Sequence, residues 1–140
     1  MSTEKTNINV QTTINASIEK VWNYWNFPEH ITKWCQASPD WHAPKATNDL
    51  KVGGRFTTTM AAKDGSFSFD FAGVYTIVEL HKRIAYTMDD GRKADITFST
   101  EGNSVKLIET FEAETENTIE LQQGGWQAIL NSFKAYIEGN

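Results

Sequence analysis

Near residue 120 the hydrophobic pattern of this chain changes period. Upstream, apolar residues recur at every second position in runs broken by turn dipeptides; downstream, Leu121, Gly125, Ile129, Phe133 and Ile137 recur at every fourth, flanked by Trp126 and Leu130. A period of two belongs to half-buried strands, and a stripe near four to an amphipathic helix. The chain is therefore expected to end in one long helix, with an antiparallel sheet before it for that helix to lie across.

The opening run sets Ile8, Val10, Thr12 and Ile14 on one face and Asn7, Asn9, Gln11 and Thr13 on the other, which predicts a strand with one buried face. Ser17 then offers a hydroxyl cap to a short helix carrying Val21, Trp22 and Trp25, and Pro28 suits the first turn of a second short helix ending near Trp34. Strand runs are expected over 55–62, 67–80, 94–100 and 104–111, introduced by Gly53-Gly54, Asp64-Gly65, Asp90-Gly91 and Gly102-Asn103. Asp-Gly pairs supply the positive φ angles of tight hairpins, so these runs read as neighbours in a meander. The stretch from about residue 36 to 52 shows no period and reads as irregular. No repeat, low-complexity tract or linker divides the sequence, so residues 1–140 read as one α+β domain with a core over about 5–138.

A chain of 140 residues buries roughly 70 % of the surface its unfolded form exposes. Eight Phe, five Trp and four Tyr give it many rings, each removing about 150–250 Å² from water when buried. Either the core is rich in rings or a cavity is lined with them. A twisted sheet with one helix across it need not close into a solid core, so a cavity between the two is expected.

The formal charge of −5 gives a phosphate backbone no basic footprint, which argues against nucleic acid. The same sign disfavours anionic lipid surfaces, and no segment has the ~18 apolar residues of a spanning helix, so no membrane insertion is expected. The opening Met1-Ser2-Thr3-Glu4-Lys5-Thr6-Asn7 has no apolar signal region, and Cys35 is the lone cysteine. Both point to the reducing cytoplasm, where Asn15-Ala16-Ser17 is a chance match to a glycosylation acceptor.

Several residues carry candidate chemistry. Gly53-Gly54 lacks the Gly-Lys-Ser/Thr that would make a phosphate cradle and reads as strand entry. His30, Cys35 and His42 lie close in sequence, but their spacing fits no usual zinc pattern, and a packed cysteine with surface histidines explains them without metal. A Cys–His nucleophile pair would need Cys35 to meet one of those imidazoles in space. Glu109 shares its strand face with Val105, Leu107 and Phe111, so its carboxylate either contacts a ligand or is released to solvent by a bulge. Asp70 falls opposite Phe67, Phe69 and Phe71 and reads as solvated, the three rings as core.

Strand parity turns Phe56, Thr58, Met60, Phe67, Phe69, Phe71, Tyr75, Tyr86, Phe98 and Glu109 toward the long helix, from which Trp126 and Leu130 can face the same space. Trp34 and Trp41 bracket the irregular stretch that would lid its mouth. The expected ligand-binding set is Trp34, Trp41, Thr58, Phe69, Phe71, Tyr75, Tyr86, Phe98, Glu109, Trp126 and Leu130, with no catalytic residue, metal or cofactor.

Val21-Trp22, the Pro28 to Trp34 segment, Leu50-Lys51-Val52-Gly53-Gly54-Arg55-Phe56, Gly73-Val74-Tyr75 and the run Glu120-Leu121-Gln122-Gln123-Gly124-Gly125-Trp126-Gln127-Ala128-Ile129-Leu130 carry a resemblance over about residues 5 to 138. The chain resembles the START-like (SRPBCC) superfamily, specifically bacterial proteins similar to the C-terminal domain of the activator of the 90-kDa heat-shock protein ATPase. That resemblance implies a helix-grip fold: a curved antiparallel sheet with two short helices, wrapping the long C-terminal helix around a hydrophobic cavity. In the superfamily such cavities carry lipids, hormones, polyketides or aromatic compounds, while some members are cyclases, dehydratases or oxygenase subunits. The separate N-terminal chaperone-binding domain of the eukaryotic activator has no counterpart here, and a shared fold does not carry that activity across. The expected function is binding of a small apolar molecule, more a carrier than an enzyme. The alternatives are a co-chaperone-like activator of a heat-shock ATPase, and a small-molecule cyclase or dehydratase. A chaperone partner or self-association through aromatics near Trp34 and Trp41 stays open.

Overall fold

The computed structural model describes residues 6–36 and 38–139. The Met1–Lys5 segment, on which the expectation of no export signal partly rests, and Ala37 of the expected irregular stretch lie outside the described residues, as does Asn140.

The chain opens with strand β1 (Asn7–Ile14), whose Ile8, Val10 and Ile14 are buried while Asn7, Asn9, Gln11 and Thr13 are exposed. Two short helices follow. Helix α1 (Ile18–Asn26) starts where the Ser17 hydroxyl accepts from the Lys20 amide, and α2 (Pro28–Trp34) has proline in its first turn. The remaining strands are β2 (Trp41–Asn48), β3 (Arg55–Ala62), β4 (Ser68–Glu79), β5 (Arg83–Met88), β6 (Lys93–Glu101) and β7 (Ser104–Glu112). Helix α3 (Ile119–Glu138) ends the chain, its first turn capped by the Thr118 hydroxyl, which accepts from the Leu121 amide.

All described strands join one antiparallel sheet in the order β1-β7-β6-β5-β4-β3-β2. Strands β2 to β7 form a meander that contains the four expected runs as β3, β4, β6 and β7, but β4 and β6 are not neighbours, because β5 lies between them; α1 and α2 carry the chain from β1 at one edge to β2 at the other. This α+β arrangement of a curled sheet, two short helices and a long C-terminal helix is the helix-grip fold.

Two strands escape the alternation, for different reasons. Strand β2 lies inside the stretch expected to be irregular. It is an edge strand with Pro44 in it and a register shift between His42 and Lys45, so one missing donor and one break in parity are tolerated there. Strand β5 is central and carries Ile84, Ala85, Tyr86 and Met88 all buried, which erases a period of two. The turn before it gives no glycine signal either, because His81 itself adopts a φ of 63°.

Where Asp-Gly turns are expected, Gly65 and Gly91 do take positive φ angles, 80° and 93°. Gly54 has a steric role instead: a Cβ there would lie 2.0 Å from the Asp49 carbonyl oxygen, which explains strand entry at this pair without a phosphate.

Helix α3 is held along β1 by polar side chains. The Gln127 carboxamide accepts from the Gln11 amide at 3.3 Å and donates to the Gln11 carbonyl at 3.0 Å, as a neighbouring strand would. Gln123 donates to the Asn9 carbonyl, Lys134 to that of Thr13, and Glu138 accepts from the Asn15 amide. The free edge of β1 is thus covered by the helix. Apolar packing then fastens the helix's second half, where Leu130, Phe133 and Ile137 are fully buried and Phe133 meets Trp25 and Trp34 with ring centroids 5.1 and 4.9 Å apart.

Candidate functional site

A cavity of about 420 Å³ lies between the concave sheet face and the first half of α3. Its wall takes Phe56, Thr58 and Met60 from β3, Phe69, Phe71 and Tyr75 from β4, Ile84 and Tyr86 from β5, Ile96 from β6 and Glu109 from β7. In a flat sheet β3 and β7 would stand about 19 Å apart at ~4.8 Å per strand. Their shared cavity therefore requires the curl. Trp25, Ile31, Trp34 and Cys35 close one end, and Leu121, Gly125, Trp126 and Ile129 of α3 form the roof.

Of the expected ligand-binding residues, Trp34, Thr58, Phe69, Phe71, Tyr75, Tyr86, Glu109 and Trp126 stand on this wall. Trp41, Phe98 and Leu130 do not. Phe98 is turned into the core against Trp22 at 5.2 Å, and Leu130 lies in the solid packing beyond the cavity. Trp41 forms an outer cluster with Phe67 and Phe69, centroids 6.0 to 6.1 Å apart. That cluster corrects the reading of the phenylalanine row as core: Phe67 is 59 % exposed and Phe69 46 %, their rings gathered on Trp41 at the β3–β4 end of the sheet. Trp34 is correspondingly no surface contact; it is buried, its indole N–H donating to the Tyr24 carbonyl. At the other end of the helical stripe, Leu121 is 63 % exposed at the cavity rim. Asp70 is exposed as expected and accepts from the Thr59 hydroxyl.

The polar groups of the wall divide into two sets. In the first, every group is committed to the protein. Tyr75 donates its hydroxyl to Asn48 at 2.6 Å, and the Asn48 amide donates to the Asn26 carbonyl at 2.7 Å. Gln122 knits the segment before α3, donating to the carbonyls of Glu114 and Asn117 and accepting from the Glu114 amide. The Glu114 carboxylate accepts from Asn117, and Arg92 pairs with Asp90 and donates to the Glu112 carbonyl. Asn48 gives no sequence signal, since it lies in the unpatterned β2, whereas a mid-helix glycine such as Gly125 is visible as one.

The second set is Thr58, Tyr86 and Glu109, exposed by only 6 %, 6 % and 5 %. No side-chain hydrogen bond joins them to any described residue. Yet no sealed buried oxygen among the described residues lacks a partner, so all three present their oxygens to the open volume. Burial pushes the Glu109 carboxyl up to about 8, so at neutral pH it is largely protonated and a donor. Burial, with Glu109 nearby, also holds the Tyr86 hydroxyl well above its ordinary range.

Cys35 donates its thiol to the Met60 sulfur at 3.6 Å, and burial followed by the Glu109 charge pushes it up to about 12. It is no thiolate nucleophile. His30 is engaged elsewhere, bonded through Nδ1 to the Tyr136 hydroxyl at 2.9 Å and stacked on Tyr24. Among the described residues no three His, Cys, Asp or Glu converge as a metal site, and no helix is long and apolar enough to cross a membrane.

The family of Activator of Hsp90 ATPase homolog 1-like proteins matches over residues 15–138. No curated protein matches the chain. Among solved structures, an AHSA1-like protein of Aeromonas hydrophila is 48 % identical and superposes with a TM-score of 0.90, covering 96 % of this chain and 93 % of that one. A protein of Cytophaga hutchinsonii is 61 % identical at a TM-score of 0.83, with the same coverages of 96 % and 93 %. A protein of Chromobacterium violaceum at 23 % identity shares the fold, with a TM-score of 0.84 over 94 % of this chain and 96 % of its own. The chain belongs to the Activator of Hsp90 ATPase homolog 1-like family within the SRPBCC superfamily.

Proposed function

We propose that this protein is a single-domain ligand-binding module that takes one small, mostly apolar molecule between the sheet and α3. The observation that carries the reading is the company the cavity keeps: ring-rich walls around about 420 Å³, with Thr58, Tyr86 and Glu109 facing it unengaged. A ligand that offers these groups hydrogen-bond partners replaces the water they face, while its apolar body covers the rings. At ~30 Å³ per water the space holds about fourteen waters, within the size range of small-molecule pockets.

Binding is favoured over cyclase or dehydratase chemistry because acid–base catalysis needs a second titratable group free to act. Glu114 and Arg92 are committed to neighbours, Cys35 is held as a thiol, and Tyr86, though unengaged, is held by burial as a neutral hydroxyl that can donate but not act as a base. The free Cys35 suits a cytoplasmic setting. The family's name and the exposed Phe67 and Phe69, packed on a half-buried Trp41, support a second reading, a co-chaperone-like contact or self-association through the outer surface.

Native mass spectrometry of protein purified from its own host tests the first reading, together with Thr58→Phe and Ile129→Trp, which fill the cavity. A copurified small molecule, lost in both variants while they stay folded, is expected. A parent that carries no molecule, takes up no environment-sensitive apolar dye and holds a stable protein partner instead would replace this reading with the second.

A further inference from the structure

Tyr86 on β5 and Glu109 on β7 stand on strands separated in the sheet by β6 alone, and the register relates them diagonally. Tyr86 pairs with Ala94 and Ala94 with Phe111, while Glu109 pairs with Ile96. Curvature of the sheet brings them near enough for the Glu109 charge to disfavour ionisation of Tyr86, yet no hydrogen bond links them. Each is more than nine-tenths buried and opens onto the cavity. Two hydroxyl-bearing groups that open onto one space without bonding each other are each free to bond a ligand atom, and both can donate to an acceptor.

Resting on the reading of the cavity as a ligand site, we propose that the molecule it holds is uncharged and carries a carbonyl oxygen that accepts hydrogen bonds from the Tyr86 hydroxyl and the Glu109 carboxyl, its apolar body lying against the rings. A cationic ligand is the competing chemistry, because it would favour an ionised Glu109. The surroundings argue for the neutral ligand. The titratable or charged groups that share the cavity are Tyr75 of β4, Cys35 after α2, Arg92 between β5 and β6, and Glu114 before α3. Glu114 is tied to Asn117 and Arg92 to Asp90, and Tyr75 and Cys35 are neutral, so none of them is an unengaged charge that calls for a charged ligand. Burial already keeps the Glu109 proton in place up to about pH 8, so donation to a carbonyl needs no further change of charge. Ligand binding would then be level across neutral pH and weaken above about 8, as the donor is lost.

The test uses two fluorescent probes on the full chain: 6-propionyl-2-(dimethylamino)naphthalene, a ketone, and 6-propyl-2-(dimethylamino)naphthalene, in which a methylene replaces the carbonyl. The parent is expected to bind the ketone about tenfold more tightly at pH 6.5, the worth of about one hydrogen bond. That preference should fade as pH rises past about 8. Tyr86→Phe and Glu109→Leu should each remove most of the preference while binding the carbonyl-free probe like the parent, which also reports that they fold. Glu109→Gln keeps a donor and loses the titration, so its preference should persist at pH 9. If both variants keep the parent's preference, or if the ketone binds more tightly as pH rises, the carbonyl assignment is wrong while the cavity still stands as a binding site. If neither probe binds the parent, the cavity reading falls and the assignment falls with it.

Discussion

At the scale of the residue, Glu109 couples the cavity to pH. Its carboxyl titrates near the ordinary value of 4.5 in the unfolded chain and at about 8 in the folded one. Between those values the folded state holds a proton that the unfolded state has released. Its contribution to stability is therefore intact below about pH 4.5, falls as pH rises toward 8, and is level above that. Glu109→Gln cannot titrate. Urea denaturation from pH 5 to 9 is expected to show the parent losing up to a few kcal/mol against the variant. Parallel pH profiles for the two proteins would show that the carboxyl is ionised in the folded state, in contact with water. Phe133 sets a second residue-scale expectation. It is fully buried between Trp25 and Trp34, and Phe133→Ala should cost about 3–5 kcal/mol, the usual range for a buried ring. A loss under about 1 kcal/mol would mean that the helix does not grip the sheet there.

At the scale of the element, α3 does two jobs along its length. Its C-terminal half packs into the core, while its N-terminal half roofs an open space. The adjacent glycines Gly124 and Gly125 mark the second job, since each disfavours a helix by about 1 kcal/mol relative to alanine. A Cβ at either position would meet no atom within 4 Å, so packing does not demand them. Gly125 faces the cavity, whereas Gly124 faces solvent; the missing side chain at 125 is part of the open volume. Thermal denaturation should find Gly124→Ala and Gly125→Ala each more stable by about 0.5–1 kcal/mol. Larger side chains separate the two positions: Gly125→Leu should abolish binding of an apolar dye, and Gly124→Leu should leave it unchanged. Equal dye binding by both leucine variants would place the site away from the roof.

At the scale of the whole molecule, asymmetric fastening keeps the cavity open. Helix α3 is pinned to the β1 edge by Gln123, Gln127, Lys134 and Glu138, while across the cavity from that edge the exposed Phe69 of β4 and Leu121 of α3 stand on its lining. Access is expected between those two residues. The net charge of −5 acts at the same scale, because nucleic-acid affinity comes chiefly from cations that displace counterions from phosphates. Fluorescence anisotropy with labelled single- and double-stranded probes at physiological salt should show no binding. Micromolar affinity with steep salt dependence would overturn that expectation.

The switch from a period of two to a stripe near four fixed the order of most elements and the long helix, since periodicity records which face of an element is buried. The same parity turned Glu109 and Thr58 inward without any structure. Parity is silent where burial is two-sided, as in β5, or where an edge strand breaks register, as in β2, and Asn48 went unseen with it. Nor does parity say what an inward residue meets. Phe98 and Phe71 alternate alike, yet one lies in solid core and the other on an open wall, and Leu130 and Ile129 divide the same way on the helix. That division depends on how strongly the sheet curls and where the helix is pinned, both set by contacts between residues some hundred positions apart, such as Gln11 with Gln127. The chemistry of the site was therefore written locally in the chain, while the existence of a space for it to act in was decided only by the tertiary structure.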